Sequence, residues 1–373
     1  MVSRSGRGAR IVVLPGDGIG PEVATQAVAV LEAVAERFSH KFRLEPFPIG
    51  AAALNAEGAP LPQKTLDACL TSDAVFLAAV GDPAYDDAPR DKRPEAGLLA
   101  LRKALGVYAN VRPARLYAGL EDASPLKGDI ARGIDLVVVR ELTGGLYYGT
   151  PRSLDVEAGV AVNTLPYTRR EIERVAEVAF RLAEGRRGLV TSVDKSNVLE
   201  TSQLWRRVVA DVARRHPNVT LEHQLVDSCA MSLVLTPGRF DVLVMENLFG
   251  DILSDEVGAL VGSLGLLPSA SLGDGPGLFE PVHGSAPALA GKNAANPVGA
   301  IASAAMLLRH GLGLREEAAA VDAAIQAVLA GGARTADLAP PGAVGVLSTV
   351  AMGTAIVEML HRSAPVGARK ETR

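Results

Sequence analysis

The stretch Glu246-Asn-Leu-Phe-Gly-Asp-Ile-Leu-Ser-Asp-Glu256 decides how this chain is interpreted, because it places Asp251 and Asp255 four residues apart. In a helix, residues at this spacing lie one turn apart on the same face. Two like charges there repel, so a cation between them is a natural partner, and oxygen ligands suit Mg²⁺ or Mn²⁺. The alternative is a solvated acidic face, but the apolar residues on either side of Asp251 favour a helix that lines a cleft.

Outside this stretch, short apolar runs typical of buried strands alternate with segments of helical period. The predicted strands are 11–14, 74–80, 135–139, 188–193, 221–226 and 240–245. The predicted helices are 22–36, 98–105, 169–184, 200–215, 294–312 and 315–330, with another near Ala230. This alternation predicts an α/β fold with mostly parallel strands.

Residues 150–167 interrupt the alternation. They are rich in turn residues and carry apolar side chains in rough alternation, namely Leu154, Val156, Val160, Val162 and Leu165. The pattern predicts a two-stranded arm. An isolated pair of strands is marginally stable and needs a surface to pack on. A second subunit is the hypothesis that this pattern supports.

Composition limits the possible functions. A chain of 373 residues is long enough for two domains, and its net charge of −4 with no long basic block argues against a nucleic-acid surface. No apolar segment reaches the roughly 18 residues that span a membrane. Residues 1–10 are basic, but the short apolar run after them is not a signal-peptide core. With two cysteines at unrelated positions, the sequence predicts a soluble, cytoplasmic protein.

The turn Gly16-Asp-Gly-Ile-Gly20 is similar to a dinucleotide-binding fingerprint but fails it. The fingerprint G-x-G-x-x-G/A, counted from Gly16, requires a glycine or alanine at position 21 and an acidic residue about 20 positions on. Proline follows Gly20 directly and breaks the pattern. The turn therefore does not predict a Rossmann fold, and a purely structural turn is the alternative.

Several polar residues follow predicted strands, where α/β proteins place their ligands. Arg140 follows the strand 135–139, and Lys195 follows the strand 188–193. An arginine fork can bind a carboxylate bidentately, and a lysine of lowered pKa can act as a general base. Tyr147 lies just past Gly144-Gly145 and could donate a proton. Each of these residues, taken alone, could equally be structural.

Taken together, these segments resemble the isocitrate/isopropylmalate dehydrogenases, the family of β-decarboxylating dehydrogenases. The matching stretches are 14–23, 93–99, 139–145, 194–202, 246–256 and 278–287, and they follow the order of the family from about residue 10 to residue 360. The resemblance implies two α/β domains around a shared central sheet. Residues 1–108 and 262–373 would form the discontinuous cofactor-side domain. Residues 109–261 would form the second domain, with the dimer interface and the arm at 150–167.

The resemblance also implies an active site shared between the two subunits of a homodimer. Tyr147 would be the catalytic tyrosine and Lys195 the catalytic lysine supplied by the other subunit. Three arginines would bind the carboxylates of a malate, namely Arg102, Arg112 and Arg140. Mg²⁺ or Mn²⁺ would be held by Asp251 and Asp255, with Asp227 of the partner subunit, which would also contact the substrate. The NAD site would include Glu280, His283, Gly284, Ser285, Ala286, Ala288 and Asn296.

The implied reaction is the oxidative decarboxylation of (2R,3S)-3-isopropylmalate to 4-methyl-2-oxopentanoate with reduction of NAD, a step of leucine biosynthesis. Glu95, Leu98 and Leu99 match the pattern of the isopropylmalate enzymes, and Val198 would complete an apolar pocket. Isocitrate enzymes carry Ser and Asn where this chain has Ala96 and Leu98, neither of which can bind a third carboxylate. The alternatives are a dehydrogenase for another 2-alkylmalate or D-malate, and a non-catalytic protein that kept the fold.

Departures from the family pattern concern the cofactor and the metal site. NAD-dependent members usually carry Asp after the segment 283–287, and NADP-dependent relatives place Lys and then Tyr there. This chain has Ala288 and Leu289. We therefore expect NAD as cofactor with reduced discrimination against NADP. Ser228 and Cys229 replace Asn and Ala beside Asp227, which would alter the surroundings of the metal without removing a ligand.

Overall fold

The computed structural model describes residues 8–340 and 342–362. The strands in this part are β1 (Gly8–Gly16), β2 (Lys41–Pro46), β3 (Ala74–Ala79), β4 (Val107–Arg115), β5 (Asp135–Glu141), β6 (Ser153–Asp155), β7 (Val160–Val162), β8 (Leu189–Asp194), β9 (Thr220–Leu225), β10 (Val242–Met245), β11 (Pro268–Gly273) and β12 (Leu278–Pro281). The helices are α1 (Gly20–Phe38), α2 (Gly50–Glu57), α3 (Gln63–Leu70), α4 (Pro94–Leu105), α5 (Gly128–Ala131), α6 (Arg169–Glu184), α7 (Glu200–Ala213), α8 (Val226–Leu235), α9 (Asn247–Leu260), α10 (Val298–Met306), α11 (Arg315–Ala330) and α12 (Thr349–Arg362).

Ten strands form one sheet in the order β2-β1-β3-β12-β11-β4-β5-β10-β8-β9. Pairing is parallel on both flanks, as predicted. The centre is antiparallel, because β11 runs against both β12 and β4, and β4 runs against β5. The central strands β4, β11 and β12 escaped prediction because polar and proline residues interrupt their apolar runs. The α/β class with a large shared sheet is confirmed.

The helix predicted over 294–312 is shorter than expected. Helix α10 begins at Val298 and ends at Met306, and a π-helical turn, Leu307–Gly311, continues it. Its start is set by Asn296, whose Oδ1 accepts a hydrogen bond from Val298 N at 3.0 Å. All nine residues of α10 are buried, so it packs as a central helix of the core. Within residues 8–340 and 342–362, no helix combines the length and the apolarity needed to cross a bilayer.

The predicted arm is present as the hairpin of β6 and β7, a two-stranded sheet of its own. Its apolar side chains are exposed, with Leu154 at 75%, Val156 at 79% and Val160 at 53%. At the base of the hairpin its two legs are joined by a hydrogen bond that Thr164 Oγ1 donates to Pro151 O at 2.7 Å. Contiguous exposed apolar residues of this kind mark an interaction surface.

Helices α6 and α7 pack together over a histidine that carries a pH-dependent contact. His216 lies just after α7 with a side chain only 10% exposed. Its Nδ1 is 2.8 Å from Glu184 and its Nε2 is 2.9 Å from Glu177, while the ring stacks on Phe180. Burial opposes protonation of His216, but the hydrogen bonds to Glu184 and Glu177 outweigh it and raise the pKa. Arg215 also pairs with Glu177.

We expect this contact to stabilise the fold at low pH. Because the folded-state pKa of His216 is raised, its contribution is fully present below the ordinary histidine pKa of about 6.5 and is lost as pH rises through the folded value. Melting temperatures of the wild type and His216→Gln, measured from pH 5.5 to 8.5, should differ most at the acid end and converge at the alkaline end. A constant difference would contradict the assignment.

Candidate active site

The antiparallel centre of the sheet brings two arginines together. Asn110 on β4 lies directly opposite Arg140 on β5. Opposed residues share one face of a sheet, and Arg112, two residues beyond Asn110, lies on the same face. Both arginines are nearly inaccessible, at 9% for Arg112 and 4% for Arg140. The sequence could not predict that the two arginines lie close together, because it does not show that β4 and β5 are neighbours in the sheet.

Buried amide oxygens hold both guanidinium groups from the inside. Asn247 Oδ1 accepts from Arg140 Nε at 3.0 Å and from Arg140 Nη2 at 2.7 Å. Asn110 Oδ1 accepts from Arg112 Nε at 2.6 Å, and Arg112 Nη1 donates to Ser254 Oγ at 2.6 Å. Burial and the charge of Arg140 lower the pKa of Arg112 to about 10. The group therefore still carries its charge at neutral pH.

Helix α9 presents the paired aspartates, as predicted. Glu246 caps its start by accepting from Leu248 N and Phe249 N, each at 3.0 Å. Asp251 Oδ1 accepts a short hydrogen bond from Arg140 Nη1, and Asp255 Oδ1 lies 3.6 Å from Arg112 Nη1. The two carboxylates therefore face the two arginines.

Tyr147 joins this group through its hydroxyl, which donates to Asp251 Oδ2 at 2.6 Å. Burial and the adjacent Asp251 raise the pKa of Tyr147 to about 12. Burial opposes ionisation of Asp251, but the charge of Arg140 and the hydrogen bond from Tyr147 outweigh it and lower its pKa. At neutral pH the tyrosine is protonated beside an ionised carboxylate, which is the state required of a proton donor.

The donor set of α9 fits a hard divalent cation. Asp251 and Asp255 offer only carboxylate oxygens. Burial and the charge of Asp251 raise the pKa of Asp255, a repulsion that a cation between the two would relieve. Within residues 8–340 and 342–362, no group of three or more potential ligands lies together in one chain. Asp227 is thus not brought to the other two aspartates within a single subunit.

Asp227 instead forms a pair with Lys195 at another exposed surface. Lys195 Nζ donates to Asp227 Oδ1 at 2.7 Å, and this hydrogen bond lowers the pKa of Asp227. In the part of the chain that the structure describes, no hydrogen bond or ion pair joins either residue to Tyr147 or Asp251. The predicted catalytic residues thus fall into two separate sets within one subunit.

Helix α4 carries the predicted side-chain pocket and the first arginine. Leu98 and Leu99 are half-buried, and Leu98 packs against a buried apolar cluster. Glu95 is exposed at the start of the helix. Val198 is 61% exposed and belongs to none of the apolar clusters of the described residues. Within one chain it does not complete the pocket, so this part of the prediction stays open.

Arg102 links α4 to the predicted cofactor side. Its Nη2 donates to Glu280 Oε1 at 2.8 Å, and Glu280 lies at the end of β12. Arg102 Nε is buried without a hydrogen-bond partner among the described residues. An unpaired buried donor is costly, so the free chain leaves this nitrogen unsatisfied.

The loop after β12 contains several of the predicted cofactor residues. Nε2 of His283 is buried and has no partner among the described residues, while its Nδ1 is 2.9 Å from Gly284 O. A Cβ built on Gly284 would meet nothing within 4 Å, so open space lies beside it. Ala286 has φ +38°, a left-handed conformation that is strained for a non-glycine residue. These features fit a loop that meets a ligand.

The glycine-rich turn supports this loop from behind. Ile19 N donates to Ser285 O at 2.8 Å, and a Cβ on Gly18 would lie 2.0 Å from the same oxygen. Asp17 accepts from Gly81 N and Ala51 N, each at 2.9 Å. The turn therefore has a structural role, since it anchors the loop. This is the alternative to a dinucleotide-binding fingerprint that the sequence left open. Asn296 and Ala288 lie further along the same segment, and both polar ends of the Asn296 amide are engaged by Asp337 and Val298.

Sequence reasoning missed the residues that hold the functional side chains. Asn110, Asn247 and Ser254 were not singled out, although Asn247 and Ser254 lie inside the stretch 246–256. Tyr167 was also missed; its hydroxyl accepts from Asn247 N at 3.1 Å. The only sequence signal for Asn247 and Ser254 is that each lies next to a charged residue of the motif. That signal is weak unless the burial of the side chain is known.

Comparisons with known proteins agree with this geometry. The chain matches the family described as isocitrate/isopropylmalate dehydrogenase over residues 10–356. A 3-isopropylmalate dehydrogenase from Halalkalibacterium halodurans is 54% identical over 360 residues, which are 96% of this chain and 99% of that protein. Another from Geobacillus kaustophilus is 58% identical over 336 residues, covering 89% and 91%. The crystal structure of isocitrate dehydrogenase from Methylococcus capsulatus has a TM-score of 0.84 at 36% identity, covering 95% of this chain and 100% of that one.

Proposed function

Because this chain belongs to the isocitrate/isopropylmalate dehydrogenase family, we propose that it catalyses the NAD-dependent oxidative decarboxylation of (2R,3S)-3-isopropylmalate to 4-methyl-2-oxopentanoate, a step of leucine biosynthesis. The relatives at 54% and 58% identity that carry the name of this enzyme support the choice over isocitrate. The half-buried Leu98 and Leu99 on α4 support it too, because an apolar wall cannot bind a third carboxylate.

Substrate binding uses the positive charge of the arginine group. Arg112 and Arg140 are buried on one face of the sheet, and Arg102 on α4 is close enough for its charge to act on both. Guanidinium groups bind carboxylates through two parallel hydrogen bonds, which fixes orientation as well as charge. The two carboxylates of the malate would occupy the side of these groups that faces away from the buried asparagines.

The chemistry requires a base for the 2-hydroxyl and an acid for C3. Lys195 of the partner subunit takes the proton of the 2-hydroxyl as the hydride leaves C2. Loss of CO₂ from the resulting 2-keto acid leaves an enolate, and Tyr147 delivers a proton to its C3. The raised pKa of Tyr147 keeps that proton available at neutral pH. The neutral amine that Lys195 needs as a base is part of the proposal.

Two bound groups complete the proposed site. Mg²⁺ or Mn²⁺, held by Asp251, Asp255 and Asp227 of the partner subunit, would supply charge that acidifies the hydroxyl and stabilises the enolate. NAD would accept the hydride, with Glu280, His283, Gly284, Ser285, Ala286, Ala288 and Asn296 along its binding segment. The unpaired Nε2 of His283 and the open space at Gly284 support that location.

The proposed assembly is a homodimer in the cytoplasm. In each subunit, residues 1–108 and 262–373 would form one domain and residues 109–261 the other. The exposed arm supports a partner surface, as do three exposed apolar residues on α8 and α9: Met231 at 58%, Leu235 at 57% and Ile252 at 58%. The separation of Lys195 and Asp227 from Tyr147 supports a shared site. A monomer at micromolar concentration in analytical ultracentrifugation would contradict this proposal.

The observation that carries the proposed function is the convergence of Arg112, Arg140, Tyr147 and the two aspartates of α9. The test is reduction of NAD at 340 nm with 3-isopropylmalate, D-malate and isocitrate, with and without Mg²⁺ or Mn²⁺. We expect metal-dependent turnover that is fastest with 3-isopropylmalate. Higher kcat/KM with D-malate or isocitrate would keep the mechanism and reject the substrate.

Ala288 provides a separate prediction on cofactor choice. A carboxylate at this position would accept hydrogen bonds from the adenosine ribose hydroxyls and repel a 2′-phosphate. We expect Ala288→Asp to raise the ratio of kcat/KM for NAD over NADP by about tenfold or more, since a charged hydrogen bond contributes roughly 1.5–3 kcal/mol. Ala288→Asn is the matched control, because it lacks the charge. Equal ratios in all three proteins would place the adenosine elsewhere.

A further inference from the structure

We infer that Asn110 and Asn247 are positioning residues that orient Arg112 and Arg140 while leaving the positive charge of both guanidinium groups free for a doubly charged substrate. The inference deepens the proposed function and rests on it. It concerns two residues that touch neither the substrate nor the metal in the proposed mechanism and act only through the arginines.

Asn247 is fully buried and uses every polar atom of its side chain. Its Oδ1 accepts two hydrogen bonds from Arg140, as described above. Its Nδ2 donates to Leu142 O and Gly144 O, each at 3.1 Å. These two carbonyls lie in the turn that leads to Tyr147, so one amide connects the arginine to the tyrosine. The backbone of α9 packs on the stem of Arg140, since a Cβ on Gly250 would lie 2.5 Å from its Cγ.

Asn110 repeats the arrangement around Arg112. It is also fully buried, and its Nδ2 donates to Ser271 Oγ at 3.0 Å and to Ser269 Oγ at 3.3 Å on β11. Its Oδ1 is thereby directed at Arg112 Nε. Both arginines have an inner nitrogen fixed by a neutral acceptor, and both amides are themselves fixed by neutral donors or acceptors.

The inference depends on the neutrality of these two buried side-chain partners. Some other guanidinium groups are held by carboxylates, as Arg186 is by the buried Asp241 and Arg102 is by Glu280, and others, such as Arg334, by backbone carbonyls. A buried carboxylate in place of either asparagine would neutralise the adjacent arginine from within. An amide fixes the same geometry without that charge. The carboxylate that Arg140 does contact, Asp251, is a proposed metal ligand, so its charge would be matched by the cation.

The substitution that tests this role is Asn→Asp, which keeps the shape and the Oδ1 acceptor, replaces the Nδ2 donor with an oxygen and adds a charge. The matched serine variant controls for the lost hydrogen bonds. The test compares Asn247→Asp with Asn247→Ser and Asn110→Asp with Asn110→Ser, where serine removes hydrogen bonds without adding charge. Asn218→Asp, at an exposed turn before β9, adds the same charge far from the site and is the matched control. Binding of 3-isopropylmalate and of D-malate with Mg²⁺ is measured by calorimetry, and binding of NADH by fluorescence.

We expect each Asp variant to weaken binding of the dicarboxylate by about tenfold or more, beyond the loss in the matched Ser variant. The reason is that the new carboxylate would neutralise the positive charge of the adjacent arginine. NADH affinity should stay within about twofold, and KM for the malate should rise more than kcat falls. A purely structural role would lower the melting temperature and leave affinity of the folded protein unchanged, which overturns the inference. Asp and Ser variants of equal affinity would also overturn it.

Failure of the proposed substrate can be told apart from failure of this inference. If the wild type binds D-malate and not 3-isopropylmalate, the substrate is wrong, and the same variants still decide the role of the asparagines. If the buried charge at position 247 prevents folding, the pair of Asn110 variants decides it alone. A wild type that binds neither dicarboxylate contradicts both the function and the inference.

Discussion

Replacing Lys195 with alanine is expected to lower kcat by about 10²–10⁴-fold, the range that a positioned general base contributes. Folding should survive, because the side chain makes one partly exposed ion pair, with Asp227. Exposed pairs of this kind add little to stability. Single-turnover kinetics with 3-isopropylmalate, NAD and Mg²⁺ would measure the chemical step, and circular dichroism would verify the fold.

Two variants make this result specific. Lys195→Arg carries a permanent positive charge and cannot lose a proton at neutral pH, so it should be as slow as the alanine variant. Lys64→Ala, at an exposed position of α3, controls for loss of a lysine elsewhere. Wild-type kcat in Lys195→Ala would remove this residue from the mechanism, whereas activity in Lys195→Arg would indicate that charge, and not proton transfer, is what the lysine provides.

The sequence predicted β1, β3, β5, β8, β9 and β10, but it missed the edge strand β2 and the antiparallel centre of the sheet. Runs such as 74–79 and 242–245 are uninterrupted and apolar, because both faces of these parallel strands are buried. Strand β4 contains Asn110, Arg112 and Pro113, which interrupt its apolar residues, so the sequence pattern does not indicate a strand there. Its polar residues belong to the proposed site, in which Arg112 would bind the substrate and Asn110 would orient the arginine. The part of the sheet that carries the proposed site was therefore the hardest to predict from strand propensity.

The same reason limits what a motif can reveal about the site. Asp251 and Tyr147 were identifiable because a charged or ionisable side chain in a motif suggests chemistry. Asn110 and Asn247 are neutral, and their importance depends on being fully buried beside an arginine. Burial is a property of the packed fold, which no single sequence displays. Residues that act through others are for this reason the ones that sequence reasoning misses.

A mixed dimer should recover activity from two nearly inactive chains. In the proposed site, Tyr147 of one subunit works with Lys195 of the other, in keeping with their separate hydrogen-bond partners within one chain. A dimer of one Tyr147→Phe chain and one Lys195→Ala chain would contain one intact site and one doubly defective site. Isolated with two different affinity tags, it should reach about half the kcat of the wild-type dimer, as two-fold symmetry requires. Each parent homodimer should be slower than this by orders of magnitude.

The reciprocal dimer excludes the simpler arrangement. A wild-type chain paired with a chain carrying both Tyr147→Phe and Lys195→Ala would have one defect in each shared site, and we expect it to be nearly inactive. If each subunit used its own lysine, the two results would exchange: this dimer would keep half of its activity, and the first would stay inactive. Together the two dimers decide where Lys195 acts, because no loss of stability in either variant could produce activity in one pairing and abolish it in the other.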